Sequence, residues 1–280
     1  GDKMKIALCL HGYFGTVSTG DYSTVYGGLE HLKERVFSKS DNVDVFVHCW
    51  QPEYETLVNE FYSPQSSLFE EQVNFDKVCS ENDISQEYID EGFPRDQTMY
   101  NNAIASRILS FYYSRKKSLD LRKQYEKDND FNYDWVITTR FDIGQRGGSE
   151  VNKIRFYHNQ NSNYLYTTHW NQMNLGYGDM WFYGSSEIMD LYSSIYNNVI
   201  KDFKPESEYE KCLTEGWFDS EMFNVWDFND PAQFSNELEK PESERSKNLM
   251  KYPRWRVTDS HLYHKWFCKK VGLYEKTRWV

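Results

Sequence analysis

No stretch of this 280-residue chain is apolar over enough residues to span a bilayer as a helix. The first residues, GDKMKIALCL, lack the longer apolar run and the small-residue cleavage site of a secretory signal. Cysteine is sparse: Cys9, Cys49, Cys79, Cys212 and Cys268 are widely scattered, and none stands at metal-ligand spacing. That pattern excludes a zinc-ribbon or disulfide-framework design and predicts reduced thiols in a cytosol-like compartment. Positive charge is also in deficit, with 32 Lys and Arg against 43 Asp and Glu and a formal net charge of −11. A nucleic-acid binder needs a basic face to neutralise phosphates, so this balance argues against one, and it weakens the case for docking on anionic lipid. The chain has no internal repeat, no low-complexity tract and no Gly/Pro-rich linker.

What the chain has in excess is aromatic residues: 22 Tyr, 18 Phe and 9 Trp make up 18% of it. Most of these fill cores, but aromatic side chains also line sites for flat or sugar-like ligands. Near-continuous apolar runs at Lys5–Leu10 (KIALCL), Val43–Trp50 (VDVFVHCW) and Tyr133–Thr139 (YDWVITT) predict strands buried on both faces. Between the first two, Gly27–Phe37 carries Leu29, Leu32 and Val36 on one helical face, which makes a βαβ unit and predicts a parallel sheet. A short strand is expected at Val73–Phe75, and the longest helix over Gln97–Tyr125. Beyond Gly148, strands are expected within Asn163–Trp170 and Gly178–Ser185. A serine-capped helix is expected over Ser186–Ile200, helical patches around Asp219–Trp226, and a last helix over Asp259–Val271. The predicted fold is α/β in one domain. A Rossmann-type half with a mostly parallel sheet (1–145) is joined to a mixed α+β half (146–280), with Arg140-Phe141-Asp142 at the junction.

Ligands of open parallel sheets bind beyond the carboxyl ends of the strands. Three strand exits here carry polar groups: His11-Gly12-Tyr13-Phe14-Gly15-Thr16, His48-Cys49-Trp50 and Arg140-Phe141-Asp142. If the strands are neighbours, these groups meet in one crevice. Each also has a plain structural reading. The first loop is neither a G-x-G-x-x-G fingerprint nor a P-loop and reads as a turn. His48 reads as a satisfied half-buried histidine, and Arg140 and Asp142 as partners of each other. The functional reading makes Asp142 a ligand for Mg²⁺ or Mn²⁺, which take one or two carboxylates and complete their shell with phosphate and water. Arg140 then holds a phosphate or a sugar hydroxyl. The basic run Arg115-Lys116-Lys117 reads as a solvated helix face.

Taken in order, KIALCL with its glycine-containing loop, DVFVHCW, YDWVITTRFDI and GYGDMWFYGSSEIMDLY resemble bacterial and viral glycosyltransferases of the GT-A class, which build lipopolysaccharide, capsule or other glycans. The resemblance runs from Lys5 to Tyr192, about two thirds of the chain. It implies a GT-A-like nucleotide-sugar-binding half and an acceptor half, a nucleotide-sugar donor (UDP-linked as first choice), a glycan acceptor, and a cytosolic location in a bacterium or an infected host cell. In place of the family's Asp-x-Asp stands Arg140-Phe141-Asp142, so Asp142 inherits the metal. Arg140 replaces the first acid and can carry part of the positive charge. A late histidine ligand is implied, with His261 and His264 as candidates. The resemblance gives the nucleotide to the amides of His11–Thr16, the base to Tyr13 or Phe14, and further donor contacts to His48, Asn101 and Arg107. An arginine at a core-facing helical position needs an acidic partner or a phosphate, so Arg107 is expected to have one. Asp179, between glycine and aromatic residues, is expected to have a raised pKa and to act as the general base of an inverting transfer. Two other readings remain at this stage. One is a sugar nucleotidyltransferase, disfavoured because no Lys or Arg appears in the first loop before Lys33. The other is a non-catalytic carbohydrate-binding protein derived from the same fold.

Overall fold

The computed structural model describes residues 3–15, 23–84, 105–144, 152–168, 177–215 and 260–280. Their strands are β1 (Ile6–Gly12), β2 (Val43–Cys49), β3 (Ser66–Phe69), β4 (Trp135–Arg140), β5 (Leu165–Thr167), β6 (Trp181–Gly184) and β7 (Thr277–Trp279). The helices are α1 (Ser23–Arg35), α2 (Glu55–Tyr62), α3 (Phe75–Glu81), α4 (Ala105–Asn129), α5 (Ser186–Ser193), α6 (Ile195–Phe203), α7 (Glu208–Glu215) and α8 (Ser260–Lys270). The strands form one seven-stranded sheet in the order β3-β2-β1-β4-β6-β5-β7. The first four run parallel, β6 is antiparallel to β4 and to β5, and β7 is parallel to β5. An α/β protein with a parallel half and a mixed half was expected. The sheet is continuous through both.

Strand alternation divides the core in two. Ala7, Cys9, Phe46 and Val136 face one cluster with the buried side of α4, whereas Ile6, Leu8, Leu10, Val45, Val47 and Ile137 face another with Leu32 of α1 and Val58 of α2. Both faces of the parallel half are therefore covered, which is why these strands read as unbroken apolar runs. The chain leaves β1 outward through β2 and β3, then returns to the other side of β1 as β4. The order thus reverses between β1 and β4, where open α/β sheets form their ligand crevice.

Several expectations need correction. Val73–Phe75 is not a strand; the third strand lies earlier, at Ser66–Phe69, and Phe75 opens α3. The expected helix over Ser186–Ile200 is two helices. Ser185 caps α5 by accepting from the Ile188 amide, and the chain turns at Ser194 before α6. Strand β7 and helices α2 and α3 were not anticipated. The expected start of α4 before residue 105 and the patches at 219–226 lie outside the described residues.

Helix α4 is the spine of the molecule, lying across β1 and β2. Its C-terminal half is pinned by a buried polar cluster. Arg122 donates to Glu126 and Asp190, at 2.7 Å each, and to Ser186; Glu126 also accepts from the Tyr133 amide at 2.8 Å. On the opposite face, α1 presses on the turn after β4. A Cβ built on Gly28 would lie 2.0 Å from the Phe141 carbonyl oxygen, and one on Gly144, at φ +83°, would lie 2.6 Å from the His31 ring. Only glycine permits either approach.

Candidate functional site

The register of the sheet assembles the site. His11 is the Cα partner of His48 on β2 and of Arg140 on β4. Side chains alternate along a strand, so these three continue the rows begun by Cys9, Phe46 and Val136 and face α4. The three strand exits are therefore neighbours, and His11, Trp50, Arg140 and Asp142 line one cleft, whereas His48 does not.

Above this row opens a cleft of about 800 Å³, within the size range of small-ligand sites. One wall is the β1 exit, His11 to Gly15. A second is the segment Gln72–Asp76. The third is a stripe of α4, Arg107, Ser110, Phe111 and Ser114, at the i, i+3, i+4, i+7 spacing of one helical face; Arg140 and Asp142 close the end. Thus Gly12, Tyr13, Phe14, Gly15, His11, Arg107, Arg140 and Asp142, all named from sequence, share one cavity. Arg107 is exposed at the rim rather than core-facing. Thr16 and Asn101 lie outside the described residues.

The first loop is not an open cradle of amides. The Phe14 and Gly15 amides both donate to the Gln51 side-chain oxygen, at 2.8 and 2.9 Å, and the Gly12 amide donates to Ser114 Oγ at 2.8 Å. Phe14 is buried against Tyr54, Phe61 and Phe141, so it is a core residue and is not available to stack on a base. Of the loop's two aromatic residues, Tyr13 is the one presented to the cleft: it is 48% exposed and donates to Gln72 at 2.7 Å.

Arg140 and Asp142 form a forked pair, Nε to Oδ1 at 2.9 Å and Nη2 to Oδ2 at 2.7 Å. The acid is thus bound by the cation two residues before it, as the plain structural reading held. Among the described residues no group of three or more His, Cys, Asp or Glu is arranged to hold a metal. A hard ion that brings phosphate and water as its other ligands needs only one or two carboxylates. Asp142, partly exposed at the cleft end, is a donor of the right kind.

His48 does not line the cleft; it lies beneath it. Glu70 can only accept, so His48 donates from Nε2 at 2.8 Å and accepts at Nδ1 from the Ser114 hydroxyl at 2.6 Å. Burial holds its pKa below the ordinary value against the opposing pull of Glu70. This chain of bonds ties the first loop, α4, β2 and the end of β3 together.

Arg115 sits at the centre of a second buried network. It is 1% exposed, so the expected solvated face is wrong at this position. Its Nε donates to His11 Nε2 at 3.2 Å, and its terminal nitrogens donate to the Tyr192 hydroxyl and the Asp179 carbonyl. Phe111 and Phe182 lie against the guanidinium, at 4.3 and 5.1 Å to their centroids. His264 closes the network. It donates from Nδ1 to the Ser260 carbonyl at 2.6 Å and accepts at Nε2 from Tyr192 at 2.9 Å. Burial pushes its pKa down to about 3. With both nitrogens engaged, His264 is a structural residue.

Asp179 is half-buried, and its Oδ2 accepts from Ser260 at 3.3 Å. Burial pushes its pKa up, but His261, His264, Arg140 and Arg115 pull it down and prevail, so the expected rise is replaced by a lowering. His261 approaches Tyr177 with Nδ1 2.6 Å from its carbonyl; it belongs to the Asp179 side and is not among the cleft-lining residues.

Sequence reasoning missed Gln51, Glu70, Ser114 and Arg115. Among the described residues no helix is long and apolar enough to cross a membrane. Comparison with protein-family models, curated proteins and solved structures found no match to this chain.

Proposed function

We propose that the cleft is the donor site of a GT-A-like glycosyltransferase that moves a sugar from a nucleotide diphosphate, UDP-linked as first choice, to a hydroxyl of a glycan. One observation carries this reading: the β1 exit, the exposed face of α4 and the Arg140–Asp142 turn meet in a single cleft at the point where the strand order reverses. A parallel half followed by a mixed half supports the GT-A class.

In this reading Tyr13 and the first loop take the nucleoside, while Arg107 and Arg140 take the diphosphate. The acceptor oxygen attacks the anomeric carbon, and the bond to the diphosphate breaks with its electron pair leaving on the phosphate oxygen. The guanidinium groups of Arg107 and Arg140 stabilise that developing charge. Asp142 would be the protein ligand of a Mn²⁺ or Mg²⁺ ion arriving with the donor, and the ion would supply further neutralisation of the leaving diphosphate. Asp179, carboxylate at neutral pH, orients the acceptor hydroxyl and takes its proton late in the transfer.

The test is calorimetric titration of UDP, GDP and CMP, with and without Mn²⁺, into the wild type, Arg140→Met and Asp142→Ala. Micromolar binding of one nucleotide, lost in Arg140→Met, is the expected result. Loss of the Mn²⁺ dependence in Asp142→Ala would assign the ion to that carboxylate. A folded wild type that binds none of the three would overturn the donor-site reading and favour a carbohydrate-binding protein.

A further inference from the structure

Arginine has no acceptor, so the Arg115 Nε bond to His11 Nε2 fixes that nitrogen as the lone-pair one. The hydrogen of the neutral ring must then lie on Nδ1. Turning the ring over would set a carbon against the guanidinium, so Arg115 fixes the orientation as well as the tautomer. Arg115 is itself immobilised by Tyr192, the Asp179 carbonyl and two ring faces. Among the described residues, Nδ1 of His11 has no hydrogen-bond partner, although His11 is only 1% exposed. An unsatisfied buried donor is destabilising, and a ligand acceptor would relieve it. In the same loop the amides of Gly12, Phe14 and Gly15 and the hydroxyl of Tyr13 are all bonded. His11, which carries this orphan donor, lines the ligand-sized cleft and is the direct register partner of Arg140.

We propose that His11 is an uncharged hydrogen-bond donor reserved for a neutral oxygen of the nucleoside, a base carbonyl or ribose hydroxyl, and that Arg115 is the positioning residue that keeps it so. This rests on the donor-site reading and assigns the nucleoside, rather than the phosphates, to His11. The groups around the ring agree. Arg115 on α4, Arg140 on β4 and His48 on β2 all disfavour a second proton on it, and burial disfavours it most. A ring that stays neutral offers a phosphate no charge; the cations of Arg107 and Arg140 serve that end of the cleft.

Long-range ¹H–¹⁵N spectra of the full chain, labelled at histidine, test the arrangement directly. The expected spectrum has His11 protonated at Nδ1 only and unchanged from pH 8 to pH 5. Uridine and UDP each shift the Nδ1 signal, and inorganic pyrophosphate leaves it in place. In Arg115→Met the ring loses its lock and populates both tautomers, while burial and Arg140 still disfavour its second proton. His11→Phe weakens uridine and UDP about tenfold, the scale of one hydrogen bond, and leaves pyrophosphate binding as it was. An Nε2-protonated His11, or a His11 that titrates between pH 5 and 7 in the wild type, overturns the proposal whether or not any nucleotide binds. If UDP binds but neither moves Nδ1 nor loses affinity in His11→Phe, the role of His11 is overturned and the donor site survives. If uridine, UDP and pyrophosphate all fail to bind the wild type, the donor site fails and this assignment falls with it.

Discussion

Replacing Gly28 by alanine should damage the protein at a distance from every ligand. In most helices Gly→Ala stabilises, by about 1 kcal/mol. Here the new methyl would lie 2.0 Å from the Phe141 carbonyl oxygen, whereas real Cβ atoms essentially never come within 3.0 Å of such a neighbour. Helix α1 or the turn after β4 must therefore retreat by about 1 Å or more, the difference between those distances. Overpacking of this kind costs about 1–3 kcal/mol, more when the obstacle is backbone that cannot change rotamer. Set against the propensity gain, the net expectation is a destabilisation of about 2 kcal/mol or more. The obstacle is also flanked by Arg140 and Asp142, so the same displacement disturbs the cationic end of the cleft. Urea unfolding measures the first effect and calorimetric titration of UDP the second, expected to weaken at least tenfold. A Gly28→Ala protein as stable as wild type, with unchanged UDP affinity, would refute the claim that α1 sets the position of that turn.

Other consequences are equally direct. Glu126→Ala removes one carboxylate from the buried Arg122, which keeps Asp190, and leaves the Tyr133 amide without its acceptor; it should cost about 1–3 kcal/mol by chemical denaturation, and a loss under about 0.5 kcal/mol would show the cluster to be dispensable. Gln51→Ala removes the acceptor of two buried amides, so Phe14 and Gly15 should lose hydrogen-exchange protection and stability should fall by about 1–3 kcal/mol; unchanged protection of both would contradict the pairing. His11, His48 and His264 all have folded-state pKa values below the ordinary 6.5. The unfolded chain binds the extra protons, so the stability they confer is complete above pH 6.5. It is lost as pH falls toward the folded values, which for His264 is about 3. Each should contribute a slope of about 1.4 kcal/mol per pH unit in that window. Urea midpoints that stay level between pH 7.5 and 5.5 would count against three buried neutral histidines.

The parallel half was legible because β1, β2 and β4 are buried on both faces, and a strand covered on both sides must be apolar at nearly every position. Their exits were legible for the same reason: a polar residue that ends such a run, like His11, His48 or Arg140, stands out. Strand β3 was missed because Ser66-Ser67-Leu68-Phe69 is short and half polar, and β7 because three residues carry almost no periodic signal. Arg115 was misread since Arg-Lys-Lys on a charged helix looks alike whether it faces water or the core. The docking of α5 and α8 supplies the Tyr192 phenol and the His264 imidazole, and Phe111 and Phe182 the ring faces, that let one of the three be buried. Gln51 and Glu70 act through bonds to residues far along the chain, which spacing cannot reveal. The sign of the Asp179 shift depended on cations brought near by tertiary structure, so local composition pointed the wrong way.

The forked pair at the end of β4 has one more implication. Because Asp142 already grips Arg140, the guanidinium does not wait in water for a phosphate; it waits with a surrogate anion in place. Ligand entry is then an exchange of one anion for another, and the incoming group gains only by the margin with which it outbids a carboxylate. On the donor-site reading a small monoanion would offer no such margin, and the pair would keep it from the cleft.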